Sequence, residues 1–483
     1  MVRQDLFAQL GGFDPIFAPA YYEDTDLAFR IRQAGFKVVY EPQSAVVHHE
    51  GVSHGTDINT GVKAHQVKNA ERMLERWRDV LQRDHFDGPA DLFRAKDRAR
   101  HKPVILVVDH YVPEPDRDAG SRVIVSFLTA LVSAGWVVKL WPHNRAYSEL
   151  YTRPVEDLGV EVLDHRYLGS FEDWIRLNGP FLDHVLVSRP SIAEDVLPDL
   201  RAFTRAHLSY YGVDIHFLRM KRQAEIAGNP QLLNEAAAME RAERQLWRQF
   251  DKVIYLSHVE TALVEELEPE TDAHAVVPFH FDHFNERTKP TEGNTILFVA
   301  GFSHPPNVDA AEFLVREIMP LVYARRPDAR LAIVGSHPTN AVRALAAANI
   351  EVTGWVSDER LMQYYAEARL AVVPLRFGAG VKGKVVEALS QGLPLVTTPI
   401  GAEGIVGVTE AALVRESARE IADGILTLLN DDDAWMKVSN DQVRFAKANF
   451  SLEALQESLV AALQPKLDTK PAESPRGIKA AEL

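Results

Sequence analysis

The sequence VILVVDHYVPEPDRDAGSRVIVSFLTALVSAGWVVKLW (residues 104–141) contains a strand, a loop with a glycine, a helix and a second strand. Its opening run VILVVDH is almost continuously apolar, which is typical of a strand buried on both faces of a parallel sheet. Apolar residues then recur at helical spacing up to Gly135, which favours a helix end. Because VVKLW starts another strand, the stretch predicts a βαβ unit that opens an α/β domain.

The same rhythm continues and then restarts along the chain. HVLVS (184–188) and KVIYLS (252–257) fit further strands of a first domain over residues 103–285, and the polar run NERTKPTEG reads as a linker. TILFVAG begins a second series of strands and helices over residues 290–465. The sequence therefore predicts an α/β protein with two doubly wound Rossmann-like domains and a ligand cleft beyond the carboxyl ends of their strands.

Composition limits the classes of function. The 483 residues are too many for one hydrophobic core, and a formal net charge of -15 at pH 7 argues against attraction to nucleic acid. The chain has no cysteine, which excludes disulfides and thiolate metal sites. The N-terminus has no apolar signal segment and no run reaches membrane-spanning length, so a cytoplasmic protein is expected, with work at a membrane surface left open.

The loop RFGAGVKGKVVEAL (376–389) has the glycine spacing of a dinucleotide fingerprint. The glycines are Gly378, Gly380 and Gly383. Glycines let the backbone approach a ligand closely, and the helix that follows offers free N–H donors at its N-terminus. Lys382 and Lys384 lie early in that helix and oppose its dipole, a cost that a bound anion relieves. The loop therefore predicts a phosphate or diphosphate site, with a solvated Lys/Glu face as the alternative.

Glu387 lies about one turn into the same helix. Its carboxylate can accept hydrogen bonds from ribose hydroxyls while the loop holds the phosphates. A nicotinamide or flavin cofactor fits poorly, because that fingerprint usually opens its domain whereas this loop comes late in the second one. The acid at the expected distance, Glu403, also falls beyond the next strand, in a glycine loop. These features favour a nucleotide diphosphate over a dehydrogenase cofactor.

Residues 103–465 resemble glycosyltransferase family 4 in the runs LFVAGFSHPPNVDAAEFL, VTGWVSD and YYAEARLAVVPLRFGAGVKGKVVEALSQGLPLVTTPIGAEGI. The resemblance implies the two-domain GT-B fold and metal-independent transfer of a sugar from a nucleotide-diphosphate sugar, with retention of anomeric configuration. It also implies that Glu387 binds the ribose and that positive charges bind the phosphates. The matching cations are Arg376, Lys382 and Lys384. One position departs from the pattern, because Ala379 stands where another glutamate usually contacts the donor sugar.

Two groups in the first domain are further candidates. The resemblance places the glycine loop after the first strand near the donor phosphate and the acceptor, which makes Gly120, Ser121 and Arg122 candidates. Asp214 and His216 follow a β-like stretch. An imidazole in the cleft can position or deprotonate an acceptor hydroxyl. A structural histidine that is hydrogen-bonded within its own loop is an equal alternative.

The first hundred residues resemble another family. LGGFDPIFAPAYYEDTDLAFRIRQAGFKVVYEPQSAVVHHEGVSHG is similar to the C-terminal part of a glycosyltransferase family 2 domain of the inverting GT-A type. The resemblance implies Asp24 as a general base and His48 or His49 at a metal site. The nucleotide-binding half of such a domain, with its D-x-D motif, is expected before residue 1. Independent activity of residues 1–85 is therefore not expected. The segment is instead interpreted as part of a truncated fusion protein or as a remnant that docks on the second enzyme.

Two segments outside the predicted domains are polar. Residues 86–102 read as a linker and residues 466–483 as a disordered tail. The basic run FRAKDRARHK (93–102) leaves a lipid-facing segment open, although a solvated linker is the favoured interpretation.

These features predict a glycosyltransferase that moves a sugar from a nucleotide-diphosphate sugar to a glycan or lipid-linked acceptor in surface polysaccharide biosynthesis, such as that of O-antigen. No metal and no cofactor are expected at the main site, where the nucleotide sugar is the donor substrate. Expected partners are this donor, the acceptor and, peripherally, the inner face of the membrane, with no nucleic acid. An epimerase-type nucleotide-sugar enzyme of the same fold and a non-catalytic nucleotide- or glycan-binding subunit are the alternatives.

Overall fold

The computed structural model describes residues 1–41, 44–47, 63–86, 91–166, 169–227, 230–378 and 380–464. The chain forms two compact units, Met1–Lys102 and Pro103–Leu483. Each unit has hydrophobic clusters of its own.

The first unit is helical, and none of its described residues lies in a strand. Its helices are α1 (Gln4–Gln9), α2 (Glu23–Gln33), α3 (Ala64–Asp84) and α4 (Leu92–Ala95). Helix α3 packs Met73 and Trp77 against Phe29 of α2. The buried Asp26 carboxylate accepts hydrogen bonds from Arg30 Nε at 2.6 Å and from Trp77 Nε1 at 2.9 Å, which ties α2 to α3. Helix α4 lies inside the segment that the sequence predicts to be a linker.

The second unit begins with a seven-stranded parallel sheet. Its strands are β1 (Val104–Asp109), β2 (Val137–Pro142), β3 (Glu161–Val162), β4 (His184–Ser188), β5 (His207–Tyr211), β6 (Lys252–Tyr255) and β7 (Ala273–Ala275), in the order β3-β2-β1-β4-β5-β6-β7. Its helices are α5 (Ala119–Ser133), α6 (Glu149–Leu158), α7 (Phe171–Asn178), α8 (Pro190–Phe203), α9 (His216–Ala227), α10 (Pro230–Gln249) and α11 (His258–Leu267). Gly135 follows α5 with a φ of 84°, the left-handed conformation that ends helices. The predicted βαβ unit is thereby confirmed.

A second parallel sheet of six strands follows. Its strands are β8 (Thr295–Val299), β9 (Arg330–Val334), β10 (Ile350–Val352), β11 (Leu370–Val373), β12 (Leu395–Thr397) and β13 (Leu413–Val414), in the order β10-β9-β8-β11-β12-β13. The helices are α12 (Pro305–Phe313), α13 (Met319–Tyr323), α14 (Asn340–Arg343), α15 (Asp358–Glu367), α16 (Gly383–Ser390), α17 (Pro399–Ala402), α18 (Ala418–Asn430), α19 (Asp432–Phe450) and α20 (Leu452–Leu463). A π-helical turn, Leu314–Ile318, joins α12 to α13.

The last helix returns to the first sheet. Leu455, Leu459 and Leu463 of α20 are buried in the same core as Phe127 and Leu131 of α5. The sequence suggests that this helix ends the second domain, whereas its apolar face covers α5 of the first. The reason is that α5 carries an apolar face of its own, and an amphipathic helix laid beside it removes both faces from water.

The strand orders locate the places where ligands can bind. In each sheet successive strands are added first toward one edge and then toward the other. The change occurs between β1 and β4 in the first sheet and between β8 and β11 in the second. Such switch points open a crevice beyond the carboxyl ends of the two strands. The loops after β1, β8 and β11 are the ones that contain the predicted glycine-bearing segments.

Candidate active site

The glycine loop leaves β11 and enters α16 at Gly383. Gly378 has a φ of 142° and Gly380 a φ of 72°, both in the region that side chains disfavour. A Cβ added to Gly380 would meet nothing within 4 Å, so this glycine is required by backbone conformation rather than by space. Ala379 lies outside the described residues. The loop delivers the free N–H groups of a helix N-terminus to the switch point of the second sheet.

Two lysines lie beside this helix N-terminus. Lys382 Nζ donates to the carbonyl of Gly380 and to Glu403 Oε2 at 3.2 Å, and Lys384 Nζ donates to Asn307 Oδ1. Burial and, to a smaller extent, the charge of Lys382 together lower the pKa of Lys384 to about 8. Two partly desolvated cations and a helix N-terminus form a site whose charge an anion would neutralise.

Glu387 faces a small pocket of about 290 Å³, lined among others by Gly301, Trp355 and Lys384. One carboxylate oxygen of Glu387 accepts a hydrogen bond from the Tyr365 hydroxyl at 3.0 Å. Burial raises the pKa of Glu387, which outweighs the opposite effects of the Tyr365 bond and of nearby positive charge. The structure therefore places this acceptor next to the cationic end of the glycine loop, inside one pocket.

Arg376 is engaged by acidic side chains. Its guanidinium forms a bidentate pair with Asp309, with Nε at 2.9 Å from one carboxylate oxygen, and its Nη1 lies 3.7 Å from Glu317. The guanidinium also lies over the ring of Phe313, 4.7 Å from its centroid. A phosphate at Arg376 has to compete with the Asp309 carboxylate, whereas no carboxylate contact of Lys384 Nζ appears among the described residues.

The loop after β1 is organised around Asp118. Its carboxylate accepts from the backbone N–H of Ser121 at 2.7 Å, from Ser121 Oγ at 2.6 Å and from the Tyr111 hydroxyl at 2.6 Å, and so caps α5. A Cβ on Gly120 would lie 3.2 Å from a guanidinium nitrogen of Arg189. Ser121 is therefore buried as part of a cap, and Gly120 leaves room for an arginine that the sequence did not suggest.

Arg122 is the candidate of this loop whose charge reaches the second domain. Its side chain is exposed, donates to the carbonyl of Pro115 at 3.0 Å, and its charge acts on the Glu387 carboxylate. Arg122 and Glu387, which are candidates from the two sheets, therefore lie within electrostatic range of each other.

His216 begins α9 and is held by two carboxylates. Its Nδ1 lies 2.9 Å from the carbonyl oxygen of Asp214, 3.2 Å from Asp214 Oδ1 and 3.4 Å from Glu243 Oε1. Burial lowers the pKa of His216, but the Glu243 hydrogen bond and the charge of Asp214 outweigh burial and leave the pKa above its ordinary value. The imidazole is therefore a stronger base than that of a free histidine and stays protonated to a higher pH.

Glu243 positions the candidate His216, although no local feature of the sequence singles it out. It is fully buried in α10, and its carboxylate accepts from the backbone N–H of His216 at 3.1 Å and of Phe217 at 2.9 Å. It thus caps the N-terminus of α9 while it fixes the imidazole. An acid in the middle of a charged helix gives no local signal, because only the packing of α10 on α9 shows which way it points.

A large cleft of about 1210 Å³ extends from the glycine loop to the first sheet's helices. The second domain contributes Gly378, Gly380 and Glu403 to its lining, and the first contributes residues of α9 and α11, together with Asp214. His216 is not among the described lining residues, so Asp214 is the member of that pair that meets the cleft directly.

The candidates of the first unit are only partly described. Asp24 is exposed in the first turn of α2, where its Oδ1 accepts from the backbone N–H of Thr25 at 2.7 Å. His48 and His49 lie outside the described residues. Over the parts of the chain that the structure describes, no group of three His, Cys, Asp or Glu is arranged to hold a metal ion.

Comparison with family models classifies the second domain. Residues 293–431 match the model of Glycosyl transferases group 1. The match spans β8 to the end of α18 and contains the glycine loop, Lys384 and Glu387. This part of the chain is therefore similar to the group 1 glycosyltransferase domains, and the lining of the small pocket lies within the matched residues.

Curated relatives match shorter stretches. An N-acetylglucosaminyl-diphospho-decaprenol L-rhamnosyltransferase of Mycobacterium tuberculosis is 38% identical over 85 residues, which are 17% of this chain and 27% of that protein. An uncharacterized 44.6 kDa protein in the cps region of Klebsiella pneumoniae is 26% identical over 184 residues, 35% of this chain and 45% of that protein. The chain spans less than half the length of these curated relatives.

Solved structures share the fold. The sucrose-phosphate synthase of Thermosynechococcus elongatus superposes with a TM-score of 0.51 at 17% identity, over 74% of this chain and 98% of that chain. Anabaena Alr3699/HepE in complex with UDP gives a TM-score of 0.51 at 13% identity, over 74% and 98%. The two parallel-sheet Rossmann-like domains form a GT-B fold, as the sequence predicted. Within the described residues, no helix combines the length and apolar character needed to cross a membrane.

Proposed function

We propose that this chain transfers a sugar from a nucleotide-diphosphate sugar to a glycan or lipid-linked acceptor in surface polysaccharide biosynthesis, as a retaining enzyme of glycosyltransferase family 4. The observation that carries the proposal is the small pocket, where the half-buried Lys384 and Glu387 lie at the end of the glycine loop in the part of the chain that matches the group 1 model. Retention and family 4 membership rest on the sequence resemblance.

In this proposal, three parts of the donor are bound by different groups of the protein. The N–H groups at the start of α16 and the side chains of Lys382 and Lys384 bind the diphosphate and stabilise it as it leaves. Glu387 accepts hydrogen bonds from the ribose hydroxyls. Trp355 lines the pocket with a side chain that is 75% exposed, and its ring offers a face on which the base can stack.

In the transfer, the bond from the anomeric carbon to the diphosphate oxygen breaks and a bond from that carbon to an acceptor oxygen forms. The acceptor's proton leaves with the diphosphate, whose developing charge the two lysines neutralise. His216 acts as a positioning residue rather than as the base, because its raised pKa keeps it protonated to a higher pH than a free histidine.

The first unit is not assigned a role in the proposed transfer reaction. We regard it as a family 2-like remnant, for which Asp24 is the described member of the predicted site. The 85-residue similarity to a rhamnosyltransferase accords with a second glycosyltransferase-related segment. The proposed reaction belongs in the cytoplasm, with peripheral contact at the membrane if the acceptor is lipid-linked.

A turnover screen tests the proposal. The intact chain is incubated with a panel of nucleotide sugars and with glycan or lipid-linked acceptors, and both nucleoside diphosphate release and product mass are measured. We expect release that depends on the acceptor and that Glu387→Ala abolishes, while Glu416→Ala, an exposed acid outside the small pocket, leaves it unchanged. Sugar interconversion without acceptor would establish the epimerase alternative, and binding without turnover the non-catalytic one.

A further inference from the structure

The large cleft is a second binding site beside the small pocket. Gly378 and Gly380 line the large cleft, while Lys384 lines the small pocket, so one loop separates the two. The small pocket, at about 290 Å³, is a quarter of the size of the cleft, at about 1210 Å³. A ligand in the cleft therefore lies next to the loop that holds the donor, where an acceptor has to be.

The cleft carries the opposite charge to the small pocket. Its acidic lining residues are Asp214, Glu260, Glu266 and Glu403. The one Lys or Arg among the described lining residues is Arg219, and its Nε is already paired with Asp214 at 2.9 Å. Lys382, the nearest cation of the glycine loop, is likewise paired with Glu403 at 3.2 Å. A phosphate entering the cleft meets carboxylates and no unpaired lysine or arginine of the described lining.

Apolar side chains lie between these carboxylates. Ile215 and Leu218 line the cleft from α9 and the turn before it, Val259 and Leu263 line it from α11, and Phe377 lines it from the glycine loop. Sugar rings combine apolar C–H faces with hydroxyl donors, which fits apolar walls interrupted by carboxylate acceptors. A hydrocarbon chain fits less well, because it would desolvate the carboxylates without giving them a hydrogen bond.

We infer that the cleft binds an uncharged glycan, so that the accepting sugar carries no phosphate where it meets Glu260 and Glu266. The inference rests on the proposed function and sharpens it, because the acceptor was left open between glycans and lipid-linked sugars. A lipid-linked acceptor is compatible only if neutral sugars separate its phosphate from the accepting end. The discrimination is electrostatic, and it belongs to the first domain's wall rather than to the glycine loop.

Paired ligands test the inference on the full chain. The methyl glycosides of glucose, mannose and galactose and their 6-phosphates are titrated by calorimetry into protein saturated with a nucleoside diphosphate. We expect at least one neutral glycoside to bind about tenfold more tightly than its 6-phosphate. Equal or tighter binding of every 6-phosphate, or binding of no neutral glycoside, overturns the inference.

Matched variants assign the effect to the cleft. Glu266→Gln removes one exposed carboxylate from the lining and should reduce the preference to about threefold. Glu265→Gln, on the same helix but outside the lining, should leave the preference unchanged. A preference that survives Glu266→Gln in full, or that Glu265→Gln reduces equally, contradicts a local origin. Failure of the nucleoside diphosphate itself to bind overturns the proposed function instead, so the two outcomes are distinct.

Discussion

The two walls of the large cleft have the same architecture and opposite chemistry. We call the loop after β11 with the start of α16, residues 376–387, the donor wall, and α9 with α11, residues 214–227 and 258–267, the acceptor wall. Both walls lie beyond the carboxyl ends of parallel strands. The donor wall carries two half-buried lysines, whereas the acceptor wall carries carboxylates between apolar side chains.

This difference indicates that the fold determines where a ligand can bind, while a few charged side chains determine which ligand is preferred. A switch point in an α/β sheet is a crevice for any ligand. Lys384 makes one crevice attractive to a diphosphate, and Glu260 and Glu266 make the other unattractive to it. Reversing a single charge on either wall should therefore move the preference of that wall alone.

The largest effect is expected for Lys384→Gln on the donor wall. The variant loses a charge-assisted hydrogen bond to the diphosphate, which should weaken nucleoside diphosphate binding by about 10- to 100-fold. Calorimetric titration measures the affinity. Lys437→Gln, at an exposed ion pair with Asp441, is the control and should bind as the unaltered protein does. Wild-type affinity in Lys384→Gln would remove the charge contrast between the walls.

The next largest effect is expected for the change of nucleoside diphosphate affinity with pH, measured by the same titration. Lys384 in the free protein has a pKa of about 8, because burial and the charge of Lys382 favour its neutral form. A bound diphosphate favours the protonated form and raises that pKa, so binding takes up a proton above pH about 8. The affinity should fall by up to about tenfold for each pH unit above that value and change little in the pH unit below it. Lys384→Gln should show no such fall, and an identical fall in this variant would assign the titration to another group.

A smaller effect is expected on the acceptor wall from Glu243→Gln. The buried carboxylate raises the pKa of His216 and caps α9, so the variant should lower that pKa by about one unit and destabilise the fold by about 1–3 kcal/mol. The imidazole proton signals in NMR report the pKa, and urea unfolding reports the stability. Glu240→Gln, which faces Arg244 on the same helix, is the matched control.

The sign of the stability effect follows from the direction of the shift. Because folding raises the pKa of His216, its stabilising contribution is complete below the unfolded pKa and disappears as pH rises through the folded one. Glu243→Gln should therefore cost more stability in mildly acidic than in alkaline solution. An equal cost at both pH values would leave Glu243 as a helix cap without influence on the imidazole.

The smallest effect is expected for Arg376→Ala. The guanidinium is already held by Asp309 at the exposed edge of the donor wall, so its loss should weaken nucleoside diphosphate binding by less than about threefold. The same calorimetric titration measures it beside Lys384→Gln. A loss as large as that of Lys384→Gln would show that Arg376 leaves Asp309 for the phosphate and would extend the donor wall to residue 376.

The local pattern of the sequence was enough for the longer central strands and the glycine loop, whereas the short edge strands β3, β7 and β13 were not predicted. Apolar runs and stop signals located those longer strands and α5, and glycine spacing located the loop that enters α16. These are properties of adjacent residues, so they can be seen without the fold. The fold class and the position of Glu387 beside the lysines follow from them.

Long-range partners could not be predicted in this way. Glu243 meets His216 only because α10 folds back on α9, and Glu403 meets Lys382 only because the loop after β12 reaches the glycine loop. The return of α20 to the first sheet is of the same kind, since its apolar spacing fits either domain. Which carboxylate faces which cation is decided by tertiary packing.

Hydrogen–deuterium exchange with ligand added to the intact chain tests the division between the walls most directly. On addition of a nucleoside diphosphate, we expect the backbone amides of residues 383–387 to gain the largest protection, while those of 258–267 on the acceptor wall change little. We also expect Lys384→Gln to lose this protection and the control Lys437→Gln to keep it. Greater protection of 258–267 than of 383–387, or no protection of either, would contradict the assignment of diphosphate binding to the donor wall.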